Sequence, residues 1–139
     1  MKEYDEYEKL KFEGEYLNGK RNGQGKEYDH YEHLVFEGEY LNGKKWKGKF
    51  KRYDFNGPVI YECEYLGNTR KEYRLGKLIF EGEYLNEKKW NGKGYDKNGQ
   101  VIYEIKDGKG TIKEYFDLNM LRYEGKYSNG LRNGKRKRI

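Results

Sequence analysis

Alanine is absent from this 139-residue chain, and proline, serine and cysteine occur only once each. The single cysteine, Cys63, excludes an internal disulfide and so gives no indication of an oxidising compartment. No apolar run reaches the length that a signal peptide or a membrane span requires. We therefore expect a cytoplasmic protein, with association at a membrane surface kept as an alternative.

Apolar side chains are scarce, since mean hydropathy is −1.35 and 39% of the residues are charged. Such a composition is typical of disordered chains, which cannot bury enough apolar area to offset the entropy of folding. The aromatic content of 17% and the 19 glycines point the other way, because each ring buries a large area. We therefore predict a thin but folded single domain over residues 1–139.

One short phrase, Phe-Glu-Gly-Glu-Tyr-Leu, recurs along the chain in six clear or altered copies. The clear copies begin at Phe12, Phe36 and Phe80, and the altered copies begin near Tyr61, Tyr103 and Tyr123. Steps of 19 to 25 residues between copies indicate a repeat architecture, in which each unit buries its apolar face against its neighbours. Residues 1–11 form a half repeat, because Lys2–Asp5 matches Lys26–Asp29.

Within one copy, side chains alternate between the two faces of an extended strand. Phe12, Gly14 and Tyr16 then share one face. The stretch Asn18–Gly23 is rich in turn residues, and Gln24–Asp29 returns as a second strand. The unit is a β-hairpin, and no segment has a helical apolar period. We predict an all-β fold, an elongated single-layer antiparallel sheet of tandem hairpins.

Each clear copy has a glycine between its two aromatic residues, such as Gly14 between Phe12 and Tyr16. Because glycine has no Cβ, we expect this position to be a seat, where a ring from the next hairpin packs flat against the backbone. Repetition of this seat predicts an aromatic-lined groove on one face. A single layer cannot cover its rings on both sides, although Phe12, Phe36 and Phe80 could serve as inter-repeat core. The predicted groove comprises Phe12, Gly14, Tyr16, Phe36, Gly38, Tyr40, Tyr61, Tyr65, Phe80, Gly82 and Tyr84.

These residues resemble MORN (membrane occupation and recognition nexus) repeats, whose pattern is aromatic-x-Gly-x-aromatic followed by Asn-Gly-Lys-x-x-Gly-x-Gly. Phe12–Tyr16 and Asn18–Gly25 match this pattern throughout, and Phe36–Gly48 and Phe80–Gly94 match it with small departures. The resemblance implies an elongated hairpin sheet with an aromatic groove. It also implies a scaffold, a dimerising module or a docking surface for helices and peptides.

Two departures from the pattern concern the central glycine. Cys63 replaces it in the third copy, and Ile105 replaces it in the fifth. A larger side chain at this position would crowd a stacked ring. We therefore expect the regular array to be interrupted, or its twist altered, around these copies.

Catalysis and metal binding find little support in the chain. His30 and His33 are the only histidines, and they lie in a predicted solvated turn without further ligands. The repeated Glu pairs indicate a solvated strand face that pairs with Lys and Arg across the sheet. None of the nucleophile candidates lies in a catalytic motif, so we predict neither enzyme activity nor a cofactor. These candidates are Cys63, Thr69, Thr111 and Ser128.

The C-terminal segment carries most of the net charge of +6, since five of its residues leave +1 for the rest of the chain. These residues are Arg132, Lys135, Arg136, Lys137 and Arg138. The run fits a lipid-headgroup contact, a nuclear localisation signal, a nucleic-acid contact or charge that protects an open sheet edge. We favour edge protection or non-specific attraction of anions, and we do not expect nucleic acid as a partner.

The sequence thus predicts a non-catalytic interaction or scaffold module that docks a partner peptide or helix in the aromatic groove. Weak binding of anionic lipid through the basic segment is the first alternative, and an antitoxin- or immunity-like protein is the second. A homodimer is a further alternative for the partner.

Overall fold

The structure is a computed structural model, and it describes residues 1–115, 121–128 and 131–133. Every helix or strand element in this described part is a β-strand, as the hairpin pattern predicts. The strands are β1 Lys2–Tyr4, β2 Leu10–Leu17, β3 Lys20–Tyr28, β4 Leu34–Leu41, β5 Lys44–Tyr53, β6 Val59–Leu66, β7 Thr69–Arg74, β8 Lys77–Leu85, β9 Lys88–Tyr95, β10 Val101–Lys106, β11 Lys109–Tyr115, β12 Leu121–Ser128 and β13 Leu131–Asn133.

The strands fall into two units, Met1–Gly67 with β1 to β6 and Asn68–Ile139 with β7 to β13. Within each unit the strands pair antiparallel with their neighbours in chain order. The predicted fold class, an antiparallel single layer of consecutive hairpins, is therefore confirmed.

Three of the turns between hairpins are built on an aspartate. The carboxylate of Asp5 accepts hydrogen bonds from the backbone N–H groups of Tyr7 and Lys9, both at 2.9 Å. Asp29 and Asp96 bond the second and fourth residues after them in the same way. Aspartate is suited to this role because its short side chain can bond the backbone two residues on.

A bulge recurs where strands of successive hairpins meet. In the first case Glu3 pairs with Phe12 while Tyr4 pairs with Leu10, so Lys11 has no partner across the sheet. One extra residue of this kind bends a strand and increases its twist. The same arrangement leaves out Val35, Ile60, Ile79 and Ile102 in later pairings.

A row of glycines crosses four adjacent strands of the first unit, with Gly14 paired to Gly25, Gly25 to Gly38, and Gly38 to Gly48. A Cβ on Gly25 would lie 2.7 Å from the ring of Phe12. The rings therefore occupy the space that side chains would otherwise fill. The glycines are required because two backbones and a ring meet here.

The structure corrects one expectation about these seats. The ring against Gly14 belongs to Phe12 of the same strand, whereas we expected a ring from the next hairpin. A ring from the next hairpin does reach the neighbouring glycine of the row, because Tyr40 lies against Gly25. A side chain that leans along its own strand can cover the glycine two residues further on, and this explains the difference.

The apolar core lies on the face of the sheet that carries these rings. In the first unit Phe12 and Phe36 are 0% and 1% exposed, and Tyr40 packs edge-on between them at 5.2 and 5.3 Å. Edge-to-face pairs add to the stabilisation that buried area provides. The core of the second unit comprises Phe80, Tyr103, Ile105, Ile112 and Tyr127.

The two altered copies differ in their effect on the array. Cys63 pairs with Phe50, and Tyr65 rather than Cys63 faces Gly48, so the third copy is displaced by two residues. This displacement is the interruption that Cys63 led us to expect. Ile105 instead keeps the register of the glycine it replaces, opposite Gly92, so the pairing register is not interrupted at the fifth copy.

Candidate functional site

We call the side of each unit that carries the buried rings the aromatic face. Its phenyl rings are covered by cationic side chains. The guanidinium of Arg21 lies 4.1 Å from the ring centroid of Phe12, and Lys89 Nζ lies 4.5 Å from that of Phe80. Such contacts combine cation–π attraction with burial by the apolar stems. They explain how a single layer can bury its rings.

Carboxylates hold these cations in place. Arg21 contacts Glu3 at 2.9 Å and Glu27 at 2.7 Å, and Lys45 contacts Glu27 at 3.2 Å. The hydroxyl of Tyr40 donates to the same Glu27 at 2.6 Å. The cations, the carboxylates and the Tyr40 hydroxyl thus form one polar cover over the aromatic core of the first unit.

These cationic side chains were not predicted from the sequence. A signal for them exists, because Arg21 and Lys45 are each the second residue after an Asn-Gly turn. In a hairpin that position faces the tyrosine next to the last residue of the preceding strand, and Tyr16 indeed pairs with Arg21.

The polar cover shifts several pKa values. Burial and the hydrogen bond to Glu27 raise the pKa of Tyr40. Burial alone would lower the pKa of Arg21, but the hydrogen bond to Glu3 and the charges of Glu27 and Glu3 raise it. The hydrogen bond from Arg21 lowers the pKa of Glu3 below its ordinary value of 4.5. Arg21 therefore stays charged, and Glu3 stays ionised in mildly acidic solution.

The lowered pKa of Glu3 predicts a specific acid sensitivity. Its contribution to stability is fully present above pH 4.5 and is lost as pH falls through the lower, folded-state value. We expect Glu3→Gln to melt at a lower temperature at pH 7 and to lose less stability below pH 4.5 than the unaltered protein. Thermal melts between about pH 3 and 7 measure this. If the melting temperatures of the variant and the unaltered protein fell by the same amount between about pH 7 and pH 3, the prediction would be wrong. Glu6→Gln, in an exposed turn, is the control.

The predicted groove residues divide by exposure. The rings of Phe12, Phe36, Phe80 and Tyr40 are buried, so they are not open to direct contact in this conformation. The remaining tyrosines of the set are half-buried and lie at the surface of the aromatic face. These are Tyr16, Tyr61, Tyr65 and Tyr84, while Gly14, Gly38 and Gly82 lie in the backbone beneath the rings.

The surface tyrosines lie beside the core and beside further cations. Tyr65 packs edge-on against Phe36 at 5.9 Å. Arg52 lies 5.4 Å from the ring of Tyr61. In the second unit Arg70 lies 4.2 Å from the ring of Tyr84. Each unit therefore presents tyrosine rings and guanidinium groups together.

The opposite face of the sheet is a ladder of alternating charge. Lys26 stands between Glu13 and Glu37 in the pairing register and lies 3.3 Å from the Glu37 carboxylate. In the second unit the hydroxyl of Tyr95 donates to Glu81 at 2.6 Å, which raises the pKa of Tyr95 to about 12. The repeated glutamates thus belong to a solvated, charge-paired face.

Exposed apolar side chains concentrate at the two edges where the chain turns. Tyr7, Tyr31 and Phe55 project from turns between hairpins and are 72%, 65% and 88% exposed. A cleft of about 630 Å³ beside Tyr31 and Phe55 also contains His33. The leucine that ends each clear copy is about half exposed at the opposite edge.

The two histidines lie in the turn that Asp29 organises. His33 Nδ1 is 3.1 Å from the Asp29 carboxylate, and His30 is exposed. Residues 1–115, 121–128 and 131–133 contain no group of three potential metal ligands.

The basic segment falls largely outside the described residues. Arg132 lies in β13, where its backbone pairs with that of Tyr127. Lys135, Arg136, Lys137 and Arg138 lie outside the described residues. Nowhere in the described ranges is there a helix with the length and apolar content needed to cross a bilayer.

Comparison with known proteins gives no match to a family model, to a curated protein or to a solved structure. The similarity to MORN repeats therefore depends on the sequence pattern alone.

Proposed function

We propose that this chain is a non-catalytic interaction module of MORN-like type, and that a partner peptide or helix docks on the aromatic face. The observation that carries the proposal is the set of half-buried tyrosines on a single-layer sheet. Tyr16, Tyr61 and Tyr65 lie half-buried at the surface of the first unit, and Tyr16 and Tyr65 pack against its core with part of each ring exposed.

The chemistry of this surface favours protein partners. Tyrosine and arginine are enriched in the residues that dominate binding energy at protein interfaces. Tyrosine offers a rigid ring at low entropic cost, and its hydroxyl can bond a partner. Arg52, which lies against Tyr61, adds a cation to the same surface.

We expect Tyr16→Ala combined with Tyr65→Ala to weaken binding to the protein that affinity capture returns by about tenfold or more. The control is Tyr7→Ala combined with Tyr31→Ala, which removes the same two rings from exposed turns of the same unit. Tyr40 is unsuited to this test because it is buried and bonds Glu27. Titration calorimetry measures the affinities, and thermal melts establish that both variants fold.

Salt separates this proposal from the lipid alternative. Docking through rings should persist at about 0.5 M salt, whereas attraction of anions to the basic segment should be screened. If deletion of residues 135–139 abolished binding while the Tyr16 and Tyr65 variant kept it, the aromatic face would not be the docking site. Binding to anionic vesicles would then be the function to pursue.

A further inference from the structure

The edge formed by the hairpin turns of the first unit carries a row of leucines, which we call the leucine edge. Leu17, Leu41 and Leu66 end β2, β4 and β6, and they are 56%, 42% and 50% exposed. By strand alternation they point away from the aromatic face, because each follows its tyrosine by one residue. The leucine edge is therefore a surface separate from the proposed tyrosine site.

Along this edge the turn of one hairpin is hydrogen-bonded to the start of the second strand of the preceding hairpin. The backbone N–H of Gly43 donates to the Arg21 carbonyl at 2.8 Å, and that of Gly67 donates to the Trp46 carbonyl at 2.8 Å. The turns thus form a regular stack. The leucines that precede them are fixed one repeat apart.

Each leucine of the row is paired across its hairpin or sheet with an exposed lysine. Leu17 faces Lys20, and Leu41 faces Lys44. Leu66 faces Lys47, although Lys47 also faces Glu39 on its other side. A mixed apolar and basic stripe therefore follows the turns.

Two lysines of this stripe differ from other lysines of the first unit. Lys26, Lys45 and Lys49 form ion pairs with glutamates at 3.2 to 3.9 Å. Lys20 and Lys44 form no ion pair within the part of the chain that the structure describes. Their positive charge is thus available to a partner.

The carboxylates on the same face lie on the other side of the leucines. Glu15, Glu39 and Glu64 each precede a leucine by two residues, which places them toward the middle of the sheet. Acidic groups of a partner therefore approach most favourably from the turn side, where Lys20 and Lys44 have no ion pair in the described part of the chain. This asymmetry fixes which flank of the partner must be acidic.

The spacing of the row matches a helix. Two strands span about 10 Å across a sheet, and seven residues of an α-helix rise about 10.5 Å. One apolar residue per seven could thus contact each leucine in turn. The two-residue displacement of β6 places Leu66 off a straight line through Leu17 and Leu41, so the helix would cross the strands obliquely.

We propose that the leucine edge binds an amphipathic α-helix of a partner protein, with apolar residues every seven positions and acidic residues along the flank that faces the turns. This surface is distinct from the tyrosine site, and a module with both surfaces could hold two partner segments at once. That arrangement is what a scaffold requires.

A synthetic helical peptide of about 21 residues tests the proposal, since three heptads span the row. The peptide carries leucine at the apolar positions, glutamate along one flank and glutamine along the other. Its affinity is measured by fluorescence anisotropy. A second peptide with glutamine in place of the leucines reports any binding that depends on charge alone.

We expect Leu41→Gln combined with Leu66→Gln to weaken binding of the first peptide by about tenfold or more, because each leucine loses an apolar contact. Leu34→Gln is the control within the same unit. Leu34 is 39% exposed and begins β4, so it lies at the end of that strand opposite to Leu41 and outside the leucine edge. This control should leave the affinity within about twofold.

The charged component has its own variant. Lys20→Gln combined with Lys44→Gln should weaken binding about threefold to tenfold at low salt and make the affinity less dependent on salt. Tyr16→Ala combined with Tyr65→Ala should leave peptide binding unchanged, so a failure here is distinguishable from a failure of the tyrosine site.

Four results would overturn the proposal. Three of them are no saturable binding up to about 1 mM peptide, equal weakening by the Leu34 control, and equal binding of the peptide without leucines. A dimer in sedimentation velocity that the Leu41 and Leu66 variant dissociates would show that a second copy occupies the edge, which also overturns it.

Discussion

Replacing Phe36 by alanine is expected to lower the free energy of unfolding by about 3–5 kcal/mol, the range for truncation of a buried aromatic. Phe36 is 1% exposed, and Tyr40 and Tyr65 pack edge-on against it at 5.3 and 5.9 Å. Lys45 Nζ lies 5.4 Å from its ring centroid. The substitution therefore removes the shared partner of two rings and one cation.

The loss should approach the whole stability of the protein. Small domains are stable by only about 5–15 kcal/mol, and a thin sheet has no second layer that could close the cavity. Urea denaturation followed by circular dichroism measures the change. The control is Phe55→Ala, because Phe55 is 88% exposed and its removal should cost less than about 0.5 kcal/mol. Similar losses for the two variants would show that the buried face is misassigned.

Much of the fold could be predicted because the same local signals recur in the three clear copies. Alternating Phe12, Gly14 and Tyr16 give a strand with one aromatic face, and the Asn-Gly turns give hairpins. Agreement among the copies removes the ambiguity that a single short strand would leave. Order of pairing then follows, because consecutive antiparallel strands need only short turns.

The bulges and the two-residue displacement at β6 could not be predicted in the same way. They depend on contacts between strands, which an alternating pattern does not specify. The residues left out in the pairings named above do share a place, because each directly precedes the aromatic residue that begins a copy, as Lys11 and Val35 do, and all of them except Lys11 are β-branched. The aspartate turns were predictable in principle, since Asp5 and Asp29 each follow a tyrosine in matching copies.

The candidate site was predicted only in part. The sequence identified the rings, but it could not decide between an open groove and a core. The answer depends on Arg21 and Lys45, which reach across from the following strand to cover Phe12 and Phe36. Long basic side chains in a polar sequence are usually assigned to solvent, so their role in burial is hard to anticipate.

The cover also explains how so polar a chain can fold. Arg21 is half-buried, but Glu3 and Glu27 neutralise it, and its stem excludes water from the Phe12 ring. Charged residues thus contribute apolar area to a core that has few aliphatic members. A stable sheet is then compatible with a mean hydropathy of −1.35.

The glycine row imposes the other strict requirement, and Gly38→Ala should show it. A Cβ on Gly38 would overlap the carbonyl oxygen of Lys47 and lie 2.9 Å from Gly48 Cα. Both obstacles are backbone atoms, so no side-chain rotation can relieve the overlap. We expect the free energy of unfolding to fall by about 1–3 kcal/mol, toward the upper end of that range. This is the opposite of the usual effect, because replacing glycine by alanine ordinarily stabilises a protein by restricting the unfolded chain.

Gly76→Asn is the control for this last prediction. Gly76 lies in a hairpin turn at φ +77°, and a Cβ there would meet nothing within 4 Å. Asparagine tolerates positive φ, so the substitution should cost well under about 1 kcal/mol. Gly57, also in an open turn but at φ +108°, should fall between the two when replaced by alanine, because only its backbone is strained. A loss at Gly76 or Gly57 as large as that at Gly38 would mean that backbone freedom, rather than the close approach of β4 and β5, explains the glycines.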